Sequence, residues 1–83
     1  PVPLLFDFNV VISNLNKMDK AEAMELVSTL RQSIQSSAEL NVGYAQEFAG
    51  IPLVGRTIFE QQQLLYNALL EWLNHFEGQF LQE

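Results

Sequence analysis

Glu71 and His75 stand four residues apart in a segment of helical periodicity, so a carboxylate and an imidazole share one face and both can ligate zinc. Catalytic zinc takes three protein ligands. The pair therefore holds a metal only if symmetry supplies ligands from another copy of the chain. A solvated helix surface accounts for both residues more simply, and no metal or other cofactor is expected. The carboxylates Glu22, Glu25, Glu39, Glu47, Glu60 and Glu71 fall where polar helix faces belong. General acid–base work needs burial or close approach to split carboxylate pKa values, and nothing in the local sequence forces either. Ser13, Ser28, Ser33, Ser36 and Ser37 lack a nucleophile-elbow glycine setting, and His75 is the sole histidine available to activate any of them. Gly50 and Gly55 have neither G-x-G-x-x-G spacing nor a following Gly-Lys-Ser/Thr, which argues against phosphate binding. No catalytic residue is assigned, and the chain is expected not to be an enzyme.

What the sequence offers instead is apolar surface. From Thr57 to Leu81, apolar side chains cover well over half of a helical wheel, leaving a polar stripe at Glu60, Gln63, Asn67, Glu71 and Asn74. One domain core needs a stripe of roughly 100°. The surplus predicts a partner, with Leu65, Leu69, Trp72, Leu73, Phe76 and Phe80 as candidate interface residues. Ile51, Leu53 and Val54 join them from an unusually apolar loop, where they either cap the helical core or protrude as a docking knob.

The elements that position these residues are helices. Two prolines in the first three residues predict an extended lead-in over residues 1–5. Over residues 5–12 the pattern is double: Phe6, Phe8, Val10 and Ile12 alternate as in a strand, while Phe8, Val11, Ile12 and Leu15 fall at helical spacing. A lone strand without a hairpin partner would leave an unpaired edge, which favours a helix over about 7–16. Asp19-Lys20-Ala21-Glu22 is a capping-box variant and predicts a helix over about 20–36. Ala23, Met24, Val27, Leu30 and Ile34 form its apolar face. Leu40, Tyr44 and Phe48 recur every four residues and predict a third helix over about 38–49, either separate or continuing the second through a kink and weakened at Gly43. Gly50 as C′ residue and Pro52 as a stop predict a loop to Arg56. Thr57-Ile58-Phe59-Glu60, a second capping box, opens a helix over about 58–77. The expected fold is all-α: three or four helices in an oligomeric bundle, one small domain over 1–83.

From Phe6 to about Phe48, three features resemble the phycobilisome-degradation adaptors of cyanobacteria and red-algal plastids: the phenylalanine twelve residues before Met18, the apolar steps at Val10, Leu15 and Ala23, and the spacing of Leu26, Leu30 and Ile34. The resemblance implies a helical hairpin that dimerises into a four-helix bundle and bridges phycobiliproteins to a protease chaperone. Gly43, the apolar loop and the helix from Thr57 have no counterpart in that family, and no binding residue is carried over.

Composition narrows the partner. Eighty-three residues bury only about 60–65% of their unfolded surface, and without cysteine no disulfide or thiolate zinc supplements that core. Assembly is the remaining source of stability. Ten acidic residues against four basic ones give a net charge of −6, which disfavours binding to nucleic acid or anionic membrane surfaces. No apolar run reaches the ~18 residues of a membrane span, no signal-peptide pattern is present, and a cytoplasmic location is expected. The functional expectation is a non-catalytic interaction or adaptor module that self-associates through its C-terminal helix and docks a protein partner. Two alternatives belong to other classes. One is a small-molecule-binding or enzymatic helical subunit whose inter-protomer pocket is lined by Tyr44, Phe48, Tyr66 and Trp72. The other is an acidic inhibitor, disfavoured because Lys17, Lys20, Arg31 and Arg56 interleave with the acids.

Overall fold

A computed structural model describes the backbone of residues 3–82 and the side chains of residues 8–82. Helix α1 spans Pro3–Ser13, a 3-10 turn covers Leu15–Lys17, α2 spans Lys20–Glu47 and α3 spans Leu53–Gln82. The described residues are all helix and turn, so the strand alternative for residues 5–12 is not adopted. The two long helices form an antiparallel hairpin, and α1 lies across its open half.

Several boundaries differ from expectation. Helix α1 begins at Pro3, within the segment expected to be extended, because a proline at the first helical position gives up only an N–H that has no helical partner there. The remainder of that lead-in lies outside the described residues. Of the two alternatives for residues 38–49, continuation of the preceding helix holds, and α2 runs unbroken from Lys20 to Glu47. No proline or glycine interrupts α2 around Ser36 and Ser37, and Ile34, Ala38 and Asn41 keep one continuous buried face. Gly50 does not take up a left-handed C′ conformation; no described residue has positive φ. Helix α2 ends instead with a last helical bond from the Phe48 amide to the Tyr44 carbonyl and then tighter turns, the amide of Ala49 donating to Gln46 and that of Ile51 to Phe48.

Helix α3 starts at Leu53, a turn before the expected capping box. The Pro52 carbonyl accepts from the amides of Gly55 (3.0 Å) and Arg56 (3.2 Å), so proline opens this helix and Thr57 lies within it. Gly78 is absorbed without a break and α3 runs on to Gln82.

The cap at Asp19 forms as the sequence requires. Its carboxylate accepts from the Glu22 amide at 2.8 Å, and this hydrogen bond is the main reason its pKa lies below the usual carboxylate value of 3.8. A depressed folded-state pKa means that the carboxylate stabilises the fold above the unfolded value and that this contribution is lost as pH falls through the folded one. Asp19→Ala should therefore lower the melting temperature at neutral pH, and its gap to wild type should narrow as the pH falls below the unfolded carboxylate value. An unchanged melt at pH 7 would contradict the cap.

Between the helices, Ala23, Val27 and Ile34 of α2 meet Leu69 and Leu73 of α3, joined by Phe8 and Leu15. Alanine at position 23 lets the helices approach closely, while the fully buried Leu15, Val27 and Leu73 fill the space. One polar side chain enters this seam. The Asn41 amide donates to the Phe59 carbonyl at 2.9 Å and to Gln63 Oε1 at 3.2 Å. A buried amide with specific partners penalises any slip of α2 along α3, because a slipped register would leave it unpaired. Near the open end, the Arg31 guanidinium clamps α3 through Glu77 (2.6 Å) and Asn74 (3.1 Å).

Candidate interaction surface

Eight of the nine expected interface residues separate into three groups. Leu69 and Leu73 belong to the core of the single chain. They have no surface to give to a partner, and that part of the expected interface is replaced by a core role. Along the same helix, Trp72, Phe76 and Phe80 stack at successive centroid distances of 5.2 and 5.4 Å. The edge of Phe8 meets Trp72 at 5.7 Å, and the Lys20 ammonium lies 5.6 Å from the centre of Phe80. Within this ladder Phe76 and Phe80 are half-buried, while Trp72 keeps an exposed flank. Helix α1 accordingly takes up part of the aromatic surface that the sequence assigned to another molecule.

The third group lies at the hairpin tip. Ile51 folds back onto the first turn of α3, where a Cβ at position 55 would stand only 2.7 Å from its Cδ1; Gly55 makes room for it. The Ile51 carbonyl also accepts from Arg56 Nε at 3.0 Å. Leu53 and Val54 stay 66% and 74% exposed, so of the three loop residues one caps and two protrude. Leu65, midway along α3, is also exposed.

The surplus apolar surface was expected on α3; α2 and its C-cap contribute a smaller share beside it. Leu40, Tyr44 and Phe48 are all exposed on the α1 side of the hairpin. On α3, Ile58 and Leu65 are also exposed, on a stripe that Trp72 continues at seven-residue spacing, while Gln62 and Tyr66 share the hollow beside Leu40 and Tyr44. Phe48 stacks parallel on Phe59 at 6.3 Å and closes the floor between the helices near the loop. The four-residue recurrence of Leu40, Tyr44 and Phe48 was visible in the sequence; its outward direction was not. Across the hairpin lies a larger groove of about 510 Å³, where Val42, Ala45 and Ala49 face Phe59 and Gln63, with Arg56 and Glu60 on its rim.

Glu71 and His75 are both exposed, beside Ala68 and Trp72 in a shallow depression. Among the described residues no three His, Cys, Asp or Glu side chains gather closely enough to hold a metal. Of the four residues expected to line an inter-protomer pocket, Tyr44 and Tyr66 share a small hollow, while Phe48 lies toward the loop and Trp72 under α1. No described helix is long and apolar enough to cross a membrane. No protein-family model, curated protein or solved structure matches this chain.

Proposed function

We propose that the chain is a non-catalytic helical interaction module that associates with a second copy of itself and docks a protein partner. Its surface area carries this reading. A folded monomer of 9.5 kDa is expected to expose about 5,000 Å². This chain exposes 6039 Å². Its radius of gyration, 15.1 Å, likewise exceeds the roughly 12 Å of a compact domain of this length. The hairpin is too long and thin to cover itself, and the exposed surface includes the apolar side chains of Leu40, Tyr44, Ile58 and Leu65.

Covering about 1,000 Å² on each of two copies gives an interface of about 2,000 Å², at the upper end of the size typical of stable complexes. The protruding Leu53 and Val54 lie at the tip, away from the middle of the hairpin, and suit contact with a different protein. The resemblance of residues 6–48 to phycobilisome-degradation adaptors supports the same class of role, a dimeric helical bridge between two proteins.

Sedimentation at micromolar concentration tests self-association. A species of twice the 9.5 kDa chain mass, or a higher multiple, is expected. A single 9.5 kDa species would overturn the reading.

A further inference from the structure

Helix α3 carries two seams of alternating three- and four-residue spacing, and the folded chain uses one of them. Phe59, Gln63, Tyr66, Leu70 and Leu73 recur at steps of four, three, four and three, and all are buried or half-buried. Ile58, Gln61, Leu65, Ala68, Trp72 and His75 recur at steps of three, four, three, four and three, and all six are exposed. Such a repeat keeps returning to one side of a helix, which is how a helix presents a continuous line of contact to a neighbouring helix. The second seam has that geometry and no neighbour among the described residues.

Charge and side-chain size select what covers it. None of the six residues is Asp, Glu, Lys or Arg, although the chain as a whole carries a net charge of −6. Two copies of like charge repel, so they meet at least cost through a face where neither is charged. A basic partner would instead be drawn to the acids, and Glu60 and Glu71 lie about 140° and 120° around the helix from Leu65. Within the seam the large apolar residues Ile58, Leu65 and Trp72 alternate with Gln61, Ala68 and His75. Antiparallel pairing sets one kind of position against the other: Leu65 on the partner's Ala68, Trp72 on the partner's Gln61, Ile58 on the partner's His75. Parallel pairing would put tryptophan on tryptophan and alanine on alanine, leaving unequal layers that pack poorly. It would also bring two α1 helices to the same level, since Phe8 holds α1 beside Trp72.

We infer that a second copy of this chain packs its α3 antiparallel on this exposed seam, about a two-fold axis that passes between Leu65 and Ala68. This deepens the self-association reading and rests on it. One operation serves both copies, because the seam is its own complement. From Ile58 to His75 the contact runs about 26 Å along a molecule 48 Å long. The roughly 1,000 Å² by which each copy exceeds a compact monomer, counted on both, matches what an interface of standard size hides.

The absence of native cysteine makes the test direct. Ile58→Cys and His75→Cys, both at exposed positions, are placed in separate chains, mixed, and treated with a short bismaleimide. Antiparallel pairing requires a mixed crosslinked dimer well in excess of that from either variant alone, because two copies of one position then stand about 25 Å apart along the seam. In parallel, Leu65→Glu should weaken self-association by at least about 30-fold, the loss typical of an interface hot spot, with helix content unchanged. Val42→Glu, exposed in the groove on the other side of the hairpin, should leave it as it was. A wild-type chain that is monomeric would remove both this arrangement and the reading beneath it. A wild-type dimer that survives Leu65→Glu, or that crosslinks through the single variants and not through their mixture, would overturn the arrangement alone.

Discussion

Leu73→Ala is expected to leave little of this protein folded at physiological temperature. Leu73 is fully buried between α2 and α3, and truncating a buried leucine costs about 2–5 kcal/mol through lost transfer energy and the cavity left behind. A domain of 83 residues has a total stability of only about 4–12 kcal/mol. The substitution thus removes a large fraction of what holds the hairpin together. Thermal melts by circular dichroism should show a fall of roughly 10 °C or more, with a shallower transition. Leu64→Ala, on the exposed side of the same helix, serves as the reference. Equal melting temperatures for the two variants would mean that α3 does not present Leu73 to α2.

Phe8→Ala should detach α1 while leaving the hairpin helical. Phe8 is the buried anchor of that helix, and its removal costs about 3–5 kcal/mol at a typical core site. The loss is local because Val27, Ile34, Leu69 and Leu73 pack together without it. Trp72 reports the event, being the sole tryptophan and lying 5.7 Å from the Phe8 ring. Its emission should shift to the red as α1 leaves and water reaches the indole, with most of the helical signal retained. An emission spectrum identical to wild type would contradict the docking of α1 on α3.

The cap of α2 and the apolar patterns of both long helices were legible in the residues themselves. Asp19 begins α2 because a carboxylate three residues before a free amide accepts its hydrogen bond whatever the rest of the chain does. The apolar face of Ala23, Val27 and Ile34 is likewise local, set by helical periodicity. Boundaries that depend on competition between weak signals were less legible. The pair Ser36-Ser37 resembles an ending, and Thr57-x-x-Glu60 resembles a beginning, yet both lie inside helices. In each case continuous packing against the other helix outweighs a local capping preference.

The surplus of apolar surface was also written in the sequence, since composition and periodicity alone show α3 carrying more apolar residues than one core stripe needs. Which of those residues remain outside was decided by tertiary structure. Leu65 and Leu69 are identical in type and four residues apart, but Leu69 packs in the core with residues of α2 while Leu65 stays exposed. The rotation of α3 about its own axis makes that choice, and it is set jointly by Asn41 on the Phe59 carbonyl, by Arg31 on Glu77 and by α1 on Trp72. These contacts join residues 18, 46 and 64 positions apart, respectively. A periodic pattern defines how wide a helix's apolar face is; only the neighbours that arrive from elsewhere in the chain determine which part of it stays in water.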